Sequence, residues 1–571
     1  MIKRLVVTGM VRLDGPAAVG SGEYSRRTDR PVASGPDGRP RLPATAIAGV
    51  LRSELARLAP DLSIQGVGAQ SVLDDLMGHA HDKPGTGSDW HRSRLRVHEP
   101  VLITGAGSTV RDGVGIDRAT GSAKQDIKYD YEVSDAGTAF SLTLELDLDG
   151  DGARRAELLL RIAVDQWAAG RLAVGGRCAT GLGAMTFEPA GAREIDLAEA
   201  SQLTAWLRAR PRQEDDRTDI GVPHDLVDPQ PGEIGVARAA SADGTWPGWF
   251  RATTRLVNHG TMLVAGSAPV PALRHDQDPD PLDPASSDAQ PLVTRHVDGS
   301  RPYVVPGSSL RGVLRSRAEQ IVRTLGQVSS ACDPLDGRKD SPTYACARRK
   351  LRWEDDDANS AEPPEDMTEP ERARRIREEA SCPVCRLFGN TRLGGRVRVE
   401  ESLVENARLE KIDHVAVDRF TGGAVDARKF DTAALRGGQF TLGVTIDRPA
   451  GWEAALLLLL LRDLCEGWVP VGSRTARGYG DVSGWVSGLE FASLGTGPLA
   501  DVTAGGTEGG IWKLNSQTFE PSPHFLGVDA PWDRLDDHGG LAQLVRTGLD
   551  ELARASARWQ PASTDEDHGD D

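Results

Sequence analysis

The chain has 571 residues, more than the roughly 100 to 200 typical of one domain, so a single small module is excluded. Apolar residues make up 39% and charged residues 26% of the chain, which predicts folded cores rather than a disordered polymer. The 84 acidic and 67 basic side chains give a net charge of −17. This charge excludes diffuse, histone-like binding of nucleic acid and restricts any such contact to a local basic groove.

Six cysteines in a chain of this length are too few for a disulfide scaffold, and the first residues suggest a strand rather than an apolar signal sequence. We therefore expect a cytoplasmic protein. The longest apolar run, residues 454–461, is much shorter than the roughly 20 residues that a membrane-spanning helix needs. No membrane role is predicted.

The hydrophobic pattern predicts the same series of elements twice. In the first half we predict strand 4–13, helix 46–58, strands 95–103 and 139–148, helix 156–169 and strand 184–188. In the second half we predict strand 252–257, helix 309–325, strands 396–403 and 439–446, helix 452–465 and strand 481–486. Strand, helix, strand, strand, helix, strand is the ferredoxin-like order. The predicted fold class is α+β, with two tandem ferredoxin-like domains.

Internal repeats support the duplication. Three blocks recur in the same order: 42–53 with 305–316, 116–121 with 417–422, and 174–183 with 471–480. Chance similarity would not preserve the order together with the glycine and arginine positions. We predict a first domain at 1–190, a linker at 191–247, a second domain at 248–490 with a cysteine-containing insertion at 326–390, and a C-terminal extension at 491–571 that ends in an acidic disordered tail.

In each copy the third of the repeated blocks, 174–183 or 471–480, is a glycine-rich loop between a helix and a strand. Neither loop has the Lys-Ser/Thr pair of a nucleotide-binding P-loop. Glycines allow backbone N–H groups to approach a phosphate closely, and the arginines add positive charge beside them. A tight turn with no ligand is the alternative. The loop residues of interest are Gly175, Arg177 and Gly181 in the first copy, and Gly472, Arg474, Arg477 and Gly478 in the second.

Four of the six cysteines, namely Cys332, Cys346, Cys382 and Cys385, lie in or beside the insertion of the second domain. Four thiols with this spacing, in a reducing compartment, are typical of a structural Zn²⁺ site, which would stabilise an insertion too polar to form its own core. The other two, Cys178 and Cys465, are interpreted as ordinary buried cysteines. The first copy has histidines instead, which we interpret as surface-loop residues: His79, His81, His91 and His98.

The motifs at 306–315, 382–389, 417–422 and 478–480 together resemble the RAMP superfamily of CRISPR proteins. More narrowly, the chain resembles a fusion of two backbone subunits of a type III effector complex. This resemblance implies modified RNA-recognition-type folds, a CRISPR guide RNA held along its backbone, other type III effector subunits as partners, and endoribonuclease cleavage of the complementary target RNA. It also implies antiviral defence as the biological setting.

In such subunits the cleaving residue is an aspartate in a short segment before the first helix. The matching residues here are Asp29 and, with one extra residue before the proline, Asp288. A lone carboxylate can accept the proton of an attacking 2′-hydroxyl or position Mg²⁺ or another divalent metal. The resemblance also implies that arginines contact guide phosphates, namely Arg52, Arg177, Arg315, Arg474 and Arg477.

Residues 108–135 and 408–436 match the position of the family's β-hairpin thumbs, which wedge between bases of the guide–target duplex. The basic residues predicted to contact RNA there are Arg111, Arg118 and Lys124 in the first thumb, and Arg419 and Lys429 in the second. An exposed hairpin with ordinary surface charges is the alternative.

Two other functions remain open at the level of sequence. One is a non-catalytic structural RNA-binding subunit of the same complex. The other is an endoribonuclease that processes the CRISPR precursor transcript, for which the sequence offers no clear Tyr or His constellation. The histidines of the first copy leave a histidine-based ribonuclease mechanism as a weaker option.

Overall fold

The computed structural model describes residues 3–22, 28–78, 92–105, 107–208, 220–226, 228–236, 248–266, 287, 289–349, 369–492, 507–508, 511–515 and 541–559. The chain divides into two compact units. The first comprises residues 1–112, 129–238 and 293–302, and the second comprises 113–128, 239–292 and 303–571. Each unit is therefore built mainly on one copy of the repeat. The mixed α+β class predicted from the sequence is confirmed.

The first copy begins with a long strand and places its two main helices at the predicted positions. Its elements are β1 (Lys3–Leu13), α1 (Ala44–Leu58), β2 (Leu62–Ile64), β3 (Val67–Gly68), α2 (Ala69–Met77), β4 (Leu95–Val97), β5 (Val101–Thr104), β6 (Ser108–Ile116), β7 (Ala123–Ser134), β8 (Ala139–Asp147), α3 (Ala153–Ala168), β9 (Met185–Asp196), α4 (Ala200–Arg208), β10 (Val222–Pro223) and β11 (Ile234–Val236).

The main sheet of the first unit has the order β10, β9, β1, β8, β4, with β5 also paired to β8. The central strand β1 is antiparallel to both of its neighbours. Helix α3 packs on the sheet because the Trp167 ring stacks on Phe187 of β9, with 4.9 Å between centroids. Helix α1 buries a stripe with the 4-residue spacing of one helix face: Ile47, Leu51 and Leu55.

The second copy repeats the pattern. Its elements are β12 (Trp249–Asn258), β13 (Thr261–Met262), β14 (Val304–Val305), α5 (Gly307–Leu325), α6 (Glu369–Glu379), α7 (Pro383–Phe388), β15 (Val397–Val399), β16 (Ser402–Glu405), β17 (Arg408–Val417), β18 (Ala424–Arg436), β19 (Gln439–Asp447), α8 (Gly451–Cys465), β20 (Val482–Ala492), β21 (Thr507–Glu508), β22 (Ile511–Asn515) and α9 (Leu541–Arg558).

The main sheet of the second unit has the order β14, β16, β19, β12, β20, β22, β21, with β15 also on β19. The strands β13, β18 and β17 form a separate antiparallel sheet. The C-terminal helix α9 joins the core of this unit, because Val545, Leu552 and Trp559 are buried with residues of α5 and α8. The amphipathic part of the predicted C-terminal extension is therefore integrated into the second unit.

Several predicted boundaries differ from the structure. The predicted strand 95–103 is two strands, β4 and β5, because Pro100 lies between them and has no N–H to donate to a ladder. The predicted strand 396–403 is likewise divided into β15 and β16. Part of the predicted linker is structured, since β10 pairs with β9 and β11 pairs with β2. Cys178 is partly exposed, so its prediction as a buried cysteine is wrong, whereas Cys465 is buried.

Candidate functional site

The four predicted zinc ligands converge on one buried position in the second unit. Each cysteine offers a sulfur, and the four Sγ atoms of Cys332, Cys346, Cys382 and Cys385 all lie within 4.8 Å of one another. Cys382 is the N-cap of α7 and Cys385 lies in its first turn, so this short helix places two ligands side by side. All four side chains are part of the main apolar core. The sequence prediction that these thiols form one cluster is confirmed.

The chemistry of the cluster suits a cation. Burial disfavours the Cys382 thiolate, but hydrogen bonds from Cys332, Cys346 and Cys385 outweigh burial and hold the Cys382 pKa well below its usual value. A hydrogen bond with Cys332 raises the pKa of Cys346. A buried set of four sulfurs, one of which favours the thiolate form, fits a metal ion such as Zn²⁺.

A chain of ionic hydrogen bonds leads away from the cluster. Arg315 Nη2 donates to Cys385 Sγ at 3.2 Å, and Arg315 Nη1 donates to the Gly389 carbonyl at 2.9 Å. Arg315 Nε also donates to Glu319 Oε1 at 3.1 Å. Arg315 is therefore held inside the second unit, and its predicted contact with RNA has no support in the structure. Its charge instead faces the sulfurs.

Two basic residues predicted for the thumb of the first copy form hydrogen bonds with residues of the second unit, one of them with the Glu319 that also binds Arg315. Arg118 Nε donates to Glu319 Oε2 at 2.8 Å, and the Glu319 carboxylate is 1% exposed. Lys124 Nζ donates to the Leu335 carbonyl at 2.8 Å. Segment 113–128, the tip of the β6–β7 hairpin, is thus anchored by intramolecular bonds, and these two basic groups are not free surface charges.

Two further predicted RNA contacts are also internal. Arg52 donates to the carbonyls of Met77 and Gly78, both at 2.6 Å, and so caps the C-terminus of α2. Arg111 is buried and donates to Thr294 Oγ1 at 3.1 Å. Both arginines have structural partners within the first unit. The sequence pattern marks them as basic but does not show where their side chains end.

The glycine-rich loop of the first unit holds its arginine on an aromatic pair. Arg177 adopts a left-handed backbone conformation, with φ of 62°, and begins a short 3₁₀ turn that ends at Gly181. Gly175 is required because a Cβ there would lie 2.4 Å from the Ala18 carbonyl oxygen. The Arg177 guanidinium lies 4.5 and 4.3 Å from the ring centroids of Tyr129 and Tyr131 of β7.

The loop of the second unit repeats this geometry. Arg474 has a φ of 61° and begins the corresponding 3₁₀ turn, which ends at Gly478. Its guanidinium lies 5.1 Å from the centroid of Phe430 on β18. Among the described residues, Arg474 Nη1 has no hydrogen-bond partner although it is shielded from solvent. Arg477, three residues later, is exposed.

A histidine extends the aromatic group of the second loop. The His414 ring stacks on Phe430 at 4.9 Å, and its Nε2 lies 3.3 Å from the Tyr479 hydroxyl. Burial, followed by the charges of Arg474 and Arg477, lowers the pKa of His414 below 6.5. The histidine is therefore neutral near pH 7, and the positive charge of this loop comes from the arginines.

Sequence reasoning identified the arginines but missed their aromatic partners. Tyr129 and Phe430 are separated by 301 residues, the same offset that relates the matched blocks at 116–121 and 417–422. Extending that alignment along the second strand of each hairpin would have identified the pair. The arginine–aromatic contact is therefore part of the duplicated unit, and it orients the cation at each loop.

The tip of the hairpin formed by β17 and β18 in the second copy is exposed to solvent. Phe420 is 98% exposed at the turn, and the adjacent Arg419 is also exposed. Lys429 pairs with Asp413 across the hairpin at 3.1 Å, and both side chains remain more than half exposed. An aromatic ring and two cations thus lie on this surface, where ring stacking and phosphate contacts are both possible.

The predicted catalytic residue of the first copy is exposed. Asp29 lies in the segment before α1, and its Oδ2 accepts a hydrogen bond from the Asp130 N–H at 3.1 Å. Asp288 lies outside the described residues, as do His79, His81 and His91. The remaining histidine, His98, has its Nε2 2.5 Å from Glu145 Oε1.

The fold and the sites define a duplicated α+β protein with a cysteine cluster and two basic glycine-rich loops. The family model of the RAMP superfamily matches residues 11–186 and 249–483. These two regions cover more than half of the chain, so the protein belongs to the RAMP superfamily. A comparison with curated proteins found no match. Membership in this superfamily indicates a CRISPR-associated RNA-binding subunit.

Within the part of the chain that the structure describes, no helix is long and apolar enough to cross a membrane.

Proposed function

We propose that this protein is a guide-RNA-binding backbone subunit of a type III CRISPR interference complex and that it cleaves the complementary target RNA. In this proposal each copy is a ferredoxin-like, modified RNA-recognition domain, and the two occupy successive positions along one guide. The observation that carries the proposal is the duplicated loop, in which a left-handed arginine stacks on an aromatic side chain in both units.

The proposed RNA contacts are the glycine-rich loop of each unit and, in the second unit, the exposed hairpin turn. Arg177, Arg474 and Arg477 would contact guide phosphates, assisted by backbone N–H groups next to the loop glycines. Phe420 at the exposed turn would stack on or wedge between bases, with Arg419 beside it. Base pairing between guide and target would supply sequence specificity, as in other RNA-guided recognition.

Cleavage is assigned to Asp29 and, by the repeat, to Asp288. Asp29 is exposed, so a target phosphodiester can reach its carboxylate. The carboxylate would accept the proton of a 2′-hydroxyl while the 2′-oxygen attacks the adjacent phosphorus, and the bond from phosphorus to the 5′-oxygen would break as that oxygen takes a proton from water. The products would be a 2′,3′-cyclic phosphate and a 5′-hydroxyl end. A divalent cation such as Mg²⁺ at this position would stabilise the developing phosphorane charge.

The cysteine cluster is assigned to one structural Zn²⁺. Four thiolate ligands leave no open coordination position, which is typical of structural rather than catalytic zinc. The proposal is supported by the proximity of the four sulfurs and by their burial in the core. In this role the metal stabilises the insertion and the face of α5 that carries Arg315 and Glu319.

Cleavage of a labelled complementary RNA by the reconstituted complex tests the proposed function. Asp29→Ala and Asp288→Ala should each remove one cut, and the double variant should remove both while RNA binding is retained. Asp37→Ala is a matched control, since Asp37 is an exposed carboxylate in the same segment before α1. Retention of both cuts in the double variant would favour the non-catalytic structural subunit. Cleavage of precursor transcript alone would favour the processing enzyme.

A further inference from the structure

The segment that carries Asp29 is fastened to strand β7 of the first unit. Glu132 N–H donates to the Arg30 carbonyl at 3.0 Å, so the backbone of the segment pairs with the strand. Thr28 Oγ1 and the Asp29 N–H both donate to Asp130 Oδ1, each at 2.7 Å. These bonds place the Asp130 carboxylate directly against the backbone of the predicted catalytic residue.

The contact is reciprocal. The Asp130 N–H donates to Asp29 Oδ2 at 3.1 Å, while the Asp29 N–H donates to the Asp130 carboxylate. An exposed aspartate without such partners would sample several rotamers. Here Oδ2 of Asp29 is directed at the strand, and no residue that the structure describes donates a hydrogen bond to Oδ1. Hydrogen bonds to a carboxylate are among the stronger ones in proteins, so this orientation is well defined.

The second unit repeats the backbone contact, and its strand aspartate forms an ion pair with a lysine. Ala433 N–H donates to the Ala289 carbonyl at 2.9 Å, which corresponds to the bond between Glu132 and Arg30. Asp431 occupies the strand position of Asp130, but its carboxylate pairs with Lys411 at 2.9 Å. The strand position is therefore duplicated, and in the second unit its carboxylate is paired with a lysine.

We propose that Asp130 is a positioning residue for Asp29: it holds the backbone and one carboxylate oxygen of Asp29 so that the other oxygen meets the target 2′-hydroxyl. This inference rests on the proposed cleavage function. A displacement of about 1 Å in a catalytic group can reduce a rate by about 100-fold. We therefore expect Asp130→Ala to lower kcat at the Asp29 cut by roughly 10- to 100-fold, with little change in KM.

The conservative variant separates positioning from direct chemistry. Asp130→Asn keeps an amide oxygen that can accept both hydrogen bonds from Thr28 and Asp29, but it removes the negative charge. If Asp130 positions Asp29, the asparagine variant should restore most of the rate that the alanine variant loses. If Asp130 itself took a proton or held a metal, the two variants should be equally impaired, and that result would overturn the positioning role.

The experiment uses the full chain in reconstituted complex and follows steady-state cleavage at both cuts of one labelled target RNA over a range of target concentrations, which gives kcat and KM for each cut. The cut assigned to Asp288 is an internal control for folding and RNA binding. Asp431→Ala is the matched strand control and should leave the Asp29 cut unchanged. An Asp29→Ala complex that still makes its cut refutes the cleavage assignment and this inference together. A complex in which Asp29→Ala abolishes the cut but Asp130→Ala leaves kcat unchanged refutes the inference alone.

Discussion

Loss of the zinc proposed for the cysteine cluster should destabilise the second unit selectively. The perturbation is the double variant Cys382→Ala/Cys385→Ala, which removes two of the four sulfurs. Cys382 is the N-cap of α7 and Cys385 lies in its first turn, and both are no more than 1% exposed. The thiols share one core with Phe250 and Leu314, so the effect should not be confined to the insertion.

The expected loss of stability follows from the coordination of the proposed zinc by four protein ligands. Structural zinc held by four protein ligands contributes about 10 kcal/mol or more to folding. A domain's net stability is only about 5 to 15 kcal/mol, so the second unit should lose most of its stability without the metal. Arg315 adds to the effect, since its guanidinium would lose the sulfur of Cys385 while remaining buried beside Glu319.

Metal analysis and hydrogen exchange provide the assay. The wild-type chain should contain one zinc, and the double variant should contain none. Amides of 303–349 and 369–492 should lose protection in the variant, and those of 28–78 should keep theirs. Cys178→Ala is the matched control, because this thiol is partly exposed and distant in sequence from the cluster. A double variant with wild-type protection throughout the second unit would refute a structural role for the metal.

Three further predictions concern the loops. Arg177→Ala and Arg474→Ala should each weaken RNA binding and lower the slope of the logarithm of the binding constant against the logarithm of the salt concentration by about one. Binding titrations at several salt concentrations measure this slope, and an unchanged slope would contradict a phosphate contact. Gly472→Ala should cost about 1–3 kcal/mol in chemical denaturation, since φ is 97° and a Cβ would lie 2.5 Å from the Leu263 carbonyl oxygen; wild-type stability would refute this strain. The pKa of His414 in the folded state lies below the ordinary value of 6.5, so the folded state binds this proton less readily than the unfolded chain does. The contribution of His414 to the free energy of unfolding is therefore present above pH 6.5 and is lost as the pH falls through the folded-state pKa. NMR titration should show this pKa rising in Arg474→Ala, and no rise would contradict the contribution assigned to the charge of Arg474.

The elements that depend on local pattern could be predicted from the sequence. Helix α1 follows Pro43 and helix α5 follows Pro306, and both begin where the repeated motif places them. The four cysteines were identified from their number and spacing, which are typical of a zinc site. The division of strand 95–103 was missed although Pro100 was visible.

The destinations of long basic side chains could not be predicted. Arg118 bonds to Glu319, which is 201 residues away, and nothing near Arg118 in sequence indicates this partner. Arg315 matches the repeat position of Arg52, yet one faces sulfurs and the other caps a helix. A pattern reveals a positive charge, whereas its availability for RNA depends on tertiary packing.

The excess negative charge noted at the outset is compatible with RNA binding. Residues 354–380 alone contain 11 acidic and 4 basic side chains, and they fall in the insertion rather than in the duplicated loops. The arginines of the loops are kept in both copies. A focused basic surface on an acidic protein would bind one RNA path and repel others.

Ultraviolet crosslinking of the purified complex, followed by mass spectrometry of the crosslinked peptides, tests whether the duplicated loops contact guide RNA. We predict crosslinks of one guide RNA to both loops, residues 174–183 and 471–480, and to the second hairpin turn around Phe420. Crosslinks confined to other surfaces, with neither loop labelled, would contradict the assignment of the duplicated loops to guide RNA.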